Sequence, residues 1–280
     1  MNIILTGIAR SGTTLTCSLL NRLPQCVALH EPMNPSELIP VPFPSGYIER
    51  VSAFYDEQRS SLMDCGRAVS KARDGNIPDN PFETPTHNER LRPSTVHNQE
   101  VHFDKKLMEG FRLVVKHPNL FTATLAVLKE VYPCFAIVRN PLAVLLSWHT
   151  IEAPVNKGRL PYGEAFDESL KSALLSESNV IERQIIILNW YFSQYESHLP
   201  SENIIKYEDL ISSGGRVLGV IDKDASMLNV PLNSRNTSSI YDKELVRGFA
   251  SRLLDEKSTI NNFYKHEEIE DLLKKWTNQN

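Results

Sequence analysis

Cysteine is scarce in this chain of 280 residues, and the four present, Cys17, Cys26, Cys65 and Cys134, have neither metal-ligand spacing nor a disulfide pattern. No zinc site and no disulfide framework are expected, and all four read as reduced packing residues. Neither sign of charge is in large excess. With 30 Lys and Arg against 34 Asp and Glu, the formal net charge is −4, which implies no general attraction to nucleic acid or to an acidic membrane; any positive field must be local. No apolar run approaches the roughly 20 residues of a membrane span. An apolar strand begins at residue 3, so no signal peptide is expected and the expected compartment is the cytoplasm. Internal repeats and low-complexity tracts are also missing.

What is present is a regular alternation of short apolar runs with helical patterns. Runs at 3–6, 27–29, 112–116, 134–138 and 203–206 read as strands, and helices are expected over 12–22, 119–131, 141–151, 179–197 and 266–276, with more helix around 46–74 and 243–255. That order predicts an α/β fold, a central parallel sheet flanked by helices, in a single domain spanning 1–280. The helix at 179–197 has so little polar surface that it should be buried. Between about 76 and 100 the sequence turns polar and proline-punctuated (Ile77-Pro78, Asn80-Pro81, Thr84-Pro85, Arg92-Pro93) and reads as a long irregular excursion.

The most informative segment is Ile3 to Leu20, an apolar strand, a turn and a helix with Leu15, Leu19 and Leu20 on one face. Gly7 and Gly12 have the G-x-x-x-x-G spacing of a P-loop, but Thr13 and Thr14 stand where Lys and Ser/Thr would follow, and Arg10 is the loop's cation. A helix opening at Gly12 aims unpaired N–H groups and its dipole at whatever lies above the strand, which suits an anion. Ser11, Thr13 and Thr14 would add hydroxyl donors and Arg10 a fixed charge. Such a turn also reads plainly as a glycine turn before an amphipathic helix. A second segment, Cys134 to Trp148, has Arg139 closing a strand and Ser147 eight positions on. Asn140 and Pro141 are explained by helix capping alone. Arg139, at the carboxyl end of a sheet strand, stands where open α/β sheets bind ligands.

Together these segments resemble the PAPS-dependent sulfotransferase family: Gly7-Ile-Ala-Arg-Ser-Gly-Thr-Thr-Leu15 is similar to its 5′-phosphosulfate loop in the variant with Arg for Lys, and the Arg139 to Ser147 segment to its 3′-phosphate segment. The resemblance implies a P-loop NTPase-like sulfotransferase fold. It also implies transfer of a sulfuryl group from 3′-phosphoadenosine 5′-phosphosulfate (PAPS) to an acceptor hydroxyl, leaving adenosine 3′,5′-bisphosphate and requiring no metal. Arg10, Ser11, Gly12, Thr13 and Thr14 would hold the 5′-phosphosulfate, Arg139 and Ser147 the 3′-phosphate, with Arg235 within reach of it. Glu31, in Glu31-Pro32 after the second strand, is the first choice for the base, and reads otherwise as an acid in a proline turn. Alternation should point His30 to the opposite side from Glu31. Lys116-His117 resembles the family's Lys-Thr-His segment one residue short; Lys116 would stabilise the leaving phosphate, while His117 is either a second candidate base or a strand-end histidine. Lys206-Tyr-Glu-Asp-Leu210 is similar to a family segment and reads as structural, with Glu208 or Asp209 capping the next turn. The family's C-terminal G-x-x-G-x-x-K is absent, which is closer to the glycan- and protein-modifying branches.

Acceptor choice is expected from an insertion at 36–110, where Phe43, Tyr47, Phe54 and Tyr55 accompany Arg50, Arg59, Arg90 and Arg92. Sugars stack on such rings, as phenols do, and a carbohydrate hydroxyl is favoured over a small natural product. Partners would be a small-molecule or glycan acceptor, with no nucleic acid. Two other readings remain: a P-loop kinase, which needs a cation at 13, a Mg²⁺-binding carboxylate after a strand, and ATP; and a noncatalytic nucleotide-binding protein of the same fold.

Overall fold

Five apolar runs of the sequence form one parallel sheet, and its strands are buried on both faces, as parallel strands covered by helices must be. The computed structural model describes residues 1–39, 43–84, 91–255 and 258–278, with the side chains of Lys243 and Asn278 outside the description. The strands are β1 (Asn2–Gly7), β2 (Cys26–His30), β3 (Arg67–Ala72), β4 (His97–His102), β5 (Arg112–Lys116), β6 (Cys134–Val138) and β7 (Ile204–Lys206). The large sheet runs β2-β5-β1-β6-β7, while β3 and β4 pair antiparallel in a separate two-stranded sheet. Alternation along each strand divides the core: Ile4, Val27, Leu113, Val115 and Ala136 pack on one face, Ile3, Leu5, Ala28, Val114 and Ile137 on the other.

The sheet's connectivity places the site. From the central strand β1 the chain passes through the helix Thr13–Leu20 to β2 on one side, whereas β6 lies on the other. Strand order therefore reverses around β1, and in such sheets the crevice opens at the strands' carboxyl ends. Gly7, His30, Lys116 and Val138 are those ends.

Three expectations change. Helix does not continue through 46–74: it spans Ser45–Cys65 and stops at Gly66, whose φ of 69° is the left-handed geometry of a helix C-terminus. From there Ala68, Ser70 and Ala72 point inward while Arg67, Val69 and Lys71 face out, a period of two that makes β3. The single helix at 119–131 is two short ones, Pro118–Ala123 and Leu125–Leu128, separated at Thr124. Of the excursion at 76–100, the described residues 76–84 and 91–96 are irregular, pinned by bridges between Phe82 and Ser94 and between Arg92 and Ile151, and its end forms β4. The helix Val180–His198 does bury most of one broad face, including Leu188, Trp190, Tyr191 and Tyr195. Among the described residues no helix is long and apolar enough to cross a membrane.

Candidate active site

A cavity of about 530 Å³ opens over the carboxyl ends of β1, β2, β5 and β6, a size typical of small-molecule sites. Its floor is the turn after β1. Gly7 has φ 151°, and a Cβ there would stand 2.5 Å from the Ile137 carbonyl. Gly12 has φ 95° and a Cβ would lie 2.8 Å from the Tyr207 ring, so both positions need glycine. The helix Thr13–Leu20 starts immediately after, with Thr13 and Thr14 lining the cavity. Substituting Gly12→Ala is expected to cost about 1–2 kcal/mol from the left-handed backbone alone, more if the Tyr207 ring cannot yield. Denaturant unfolding measures it.

Arg10 itself holds a left-handed φ of 74°. Its Nε donates to Ser147 Oγ at 3.2 Å and its Nη1 to Asn80 Oδ1 at 3.2 Å, while the guanidinium lies 4.6 Å from the centre of the Phe82 ring. Burial, with the positive charges of Arg92, Arg139 and Arg235, lowers its pKa to about 9. Burial is the first cause, and the neighbouring arginines add a local positive field to it.

Arg139 is fully buried and heavily engaged: Nε donates to Asn236 Oδ1 (2.7 Å), Nη1 to the Arg10 carbonyl (2.9 Å), and Nη2 to the Arg235 carbonyl (2.8 Å) and Tyr241 Oη (3.1 Å). It also lies over the Tyr207 ring, 4.7 Å from its centre. Four of its five donors thus tie the Arg10 turn to the 235–241 segment. Glu208 does not cap its own turn by its side chain. Instead it accepts from the Asn140 N–H, Asn236 Nδ2 and Tyr264 Oη, holding the start of the helix after Arg139.

At the other side of the cavity stand Glu31, Lys71, His30 and Lys116. Glu31 Oε1 accepts from Lys116 Nζ at 2.9 Å and Oε2 from Lys71 Nζ at 2.8 Å; Lys116 Nζ also reaches Thr14 Oγ1 at 3.4 Å. Burial alone would raise the Glu31 carboxyl, but Lys116, the His30 hydrogen bond and Lys71 overcome it and hold the group well below its ordinary value of 4.5. Strand alternation does not separate His30 from Glu31, as it was expected to. The strand ends at His30, Glu31 turns to a left-handed φ of 44°, and His30 Nε2 comes within 3.5 Å of Glu31 Oε1. Burial, aided by Lys116, lowers His30 to about 4, so it is neutral near pH 7.

Of the residues singled out in the sequence, Arg10, Gly12, Thr13, Thr14, Glu31, Lys116, Arg139 and Arg235 line this one cavity. Ser11, Ser147 and His117 do not. The Ser11 hydroxyl is spent inside the fold, donating to the Ile137 carbonyl at 2.7 Å, and Ser147 supports Arg10 from behind. His117 Nε2 accepts the Met33 N–H at 3.2 Å, and burial lowers its pKa to about 3; a ring so engaged is not placed to take a proton from a bound molecule.

The expected acceptor-binding side chains are also elsewhere. Tyr47 and Tyr55 are fully buried, Tyr55 donating to the Ile3 carbonyl, and Arg59 is bound to Asn2 and the Phe111 carbonyl. Phe43, Phe54, Arg50 and Arg92 likewise do not line the cavity, and Arg90 lies outside the described residues. The 36–110 segment contributes Lys71, Asn80, Phe82 and Val96 among others instead. Lys71 was missed because only the docking of β3 beside β2 brings it to Glu31. Cys17, Cys26 and Cys134 are buried free thiols, whereas Cys65 is exposed rather than packed. Among the described residues no cluster of three or more His, Cys, Asp or Glu could hold a metal.

No protein-family model matches the sequence, and no curated protein matches it either. Among solved structures the chain is similar to a sulfotransferase from Alicyclobacillus acidocaldarius, at 12% identity and a TM-score of 0.45, covering 94% of each chain. It is also similar to sulfotransferase STF9 from Mycobacterium avium (16%, TM-score 0.34, 100% of this chain and 76% of that one). A third is sulfotransferase STF1 from Mycobacterium tuberculosis H37Rv (16%, TM-score 0.31, 97% and 76%). Identities and TM-scores this low leave the reading of the site to its own residues.

Proposed function

We propose that this chain moves a sulfuryl group from PAPS to an acceptor hydroxyl. One observation carries the reading: a glycine turn opening a helix, a cluster of Arg10, Arg139 and Arg235, and a Lys116–Glu31 pair share a single cavity. The cradle suits the donor, because the helix start at Gly12, Thr13 and Thr14 faces the cavity and Arg10 stands there with Arg139 and Arg235. Arg10, Thr13 and Thr14 would hold the 5′-phosphosulfate. Arg235 and Arg139 line the cavity and would hold the 3′-phosphate, Arg139 through the donor left over from its four hydrogen bonds. Ser147 and Ser11 act indirectly, by supporting Arg10 and closing the turn.

The donor is a substrate that supplies a sulfuryl group already activated on a phosphate. The acceptor O–H gives its proton to Glu31 as its oxygen bonds to sulfur; the sulfur–phosphate oxygen bond breaks, and adenosine 3′,5′-bisphosphate leaves with that electron pair. A carboxylate held by two ammonium groups is a poor base. An anion at Thr14 competes for Lys116, and as Lys116 is drawn away the carboxyl regains basicity where the acceptor needs it. Lys116 then offsets charge on the leaving phosphate. The 36–110 segment would shape the acceptor subsite through Lys71, Asn80, Phe82 and Val96. The rings of the helix Ser45–Cys65 are not in the wall, and Phe82 is the ring of the 36–110 segment that would stack against a carbohydrate acceptor, the acceptor class this reading keeps.

Calorimetry tests the donor assignment. Adenosine 3′,5′-bisphosphate is expected to bind with an affinity that a chelator does not alter, and radiolabelled sulfate should pass from PAPS to hydroxyl acceptors. Preference for Mg-ATP would replace this reading with a kinase, against which Thr13 and Arg139 stand where a kinase needs a cation and a carboxylate. Tight bisphosphate binding with no transfer across a broad glycan, alcohol and phenol panel would make it a noncatalytic binder.

A further inference from the structure

Nothing in the Gly7–Thr14 or Arg139–Ser147 segments points to Lys71, yet it is one of the two cations in contact with Glu31. We propose that Lys71 is a positioning residue for the Glu31 carboxylate, holding it in the cavity and keeping it ionised once Lys116 is engaged by the donor. The proposal rests on the assignment of Glu31 as the base. Its geometric ground is the division of labour between the two carboxylate oxygens: Oε1 takes Lys116 and Oε2 takes Lys71, at 2.9 and 2.8 Å. Lys116 comes from the end of β5 and also touches Thr14 Oγ1 in the glycine turn, so it belongs to both neighbours. Lys71 comes from β3, outside the main sheet, and among the described residues its ammonium pairs only with Glu31.

The fold fixes that approach. Strand β2 is the sheet's edge, and β3 lies beside it: Ser70 Oγ accepts the His30 N–H at 2.9 Å, and Gln58 Oε1 accepts the Val69 N–H at 2.7 Å. With Ser70 turned in to His30, Lys71 points out of β3 toward the cavity, where 37% of its side chain is exposed. Glu31, at φ 44°, is backbone-constrained as well, its N–H donating to the Lys116 carbonyl at 2.8 Å. Carboxylate and ammonium thus each stand on a fixed strand end, so the pair costs little side-chain ordering compared with a free surface ion pair.

The groups acting on Glu31 come from every element around it. They are Lys116 of β5 with His117 beyond it, His30 of β2, Lys71 of β3, Tyr162 of the helix Pro161–Phe166, Tyr191 of the helix Val180–His198, and Cys17 of the helix Thr13–Leu20. Burial keeps both histidines neutral near pH 7 and raises both tyrosines and the thiol, so none of these five carries charge there. Two lysines remain to set the carboxylate's charge state. With Lys116 shared with the donor, Lys71 is the cation whose ion pair among the described residues is with Glu31.

The experiment follows the Glu31 carboxyl directly by ¹³C NMR titration in the intact protein, with E31Q identifying its signal, in wild type, K71M and K71R, each free and saturated with adenosine 3′,5′-bisphosphate. In K71M the Glu31 midpoint is expected to rise by about one to three pH units, the effect of removing an opposite charge at contact distance. K71R should restore it, and bisphosphate affinity should stay at the wild-type value in both. The acid limb of kcat/KM should move up with the midpoint, which loss of structure alone would not produce. A K71M midpoint equal to wild type overturns the inference, whatever E31Q does to turnover. If the midpoint shifts but E31Q still transfers sulfate at the wild-type rate, Glu31 is not the base and the positioning role falls with that assignment, while the bisphosphate measurements still judge the donor site.

Discussion

Glu31→Gln is expected to lower turnover by about 10²- to 10⁴-fold, the usual contribution of a positioned general base, while leaving adenosine 3′,5′-bisphosphate affinity near wild type. Glutamine keeps the volume and planarity of the side chain, so the cavity wall is preserved and the loss is confined to proton transfer. Lys116, freed from Oε1, remains within 3.4 Å of Thr14 Oγ1 and available to an anion there. Calorimetry and transfer of labelled sulfate measure the two quantities independently, and a variant as active as wild type would move the base elsewhere. His117 is a poor substitute because its Nε2 already accepts the Met33 N–H. Stability carries a signature as well. Because the folded Glu31 carboxyl sits below its ordinary value of 4.5, its ionisation stabilises the fold above that pH, and the contribution fades as pH falls toward the folded value. The stability gap between wild type and E31Q should therefore be constant above about pH 5 and close in acid, as followed by denaturant unfolding across pH.

Arg139→Ala should produce the largest combined loss, about 3 kcal/mol or more of stability and at least a 100-fold drop in bisphosphate affinity. Four hydrogen bonds from a buried guanidinium disappear together, and charge-assisted bonds contribute about 1.5–3 kcal/mol each. The acceptors they leave include the carbonyls of Arg10 and Arg235, two residues of the cavity wall, so the two segments are no longer tied together. Arg139→Lys keeps the charge, but a single ammonium cannot span those two carbonyls and Asn236 as a planar fork does; an intermediate loss is expected. Unfolding midpoints and calorimetry report both effects, and an alanine variant with wild-type stability and affinity would show that the guanidinium supports neither.

How much was legible in the sequence depends on how far each feature's cause reaches along the chain. Arg10, Thr13 and Thr14 were readable because a strand, a glycine turn and a helix start are determined within a dozen residues. Arg139 was found for the same reason, at the end of an apolar run before Asn140-Pro141. Its partners Asn236 and Tyr241 were not, since they arrive from about a hundred residues away. The period of two in Arg67 to Ala72 was present but lay after a helical pattern, and Gly66 was the signal that the helix had stopped.

The sequence by itself determined the parallel sheet, the left-handed glycine turn and the residues at the strand ends, because apolar period, backbone freedom and capping act locally. Only the tertiary structure decided which of those residues meet. Tyr47 and Tyr55 went to the core rather than the cavity because burying their rings and satisfying their hydroxyls, with Thr124 and the Ile3 carbonyl, outweighs exposure. His30 and Glu31 came together because the chain left its strand at the residue between alternation and turn. Lys71 reached Glu31 because β3 docks along the edge of β2. Such contacts are set by register between elements far apart in the chain, a quantity that no local pattern encodes.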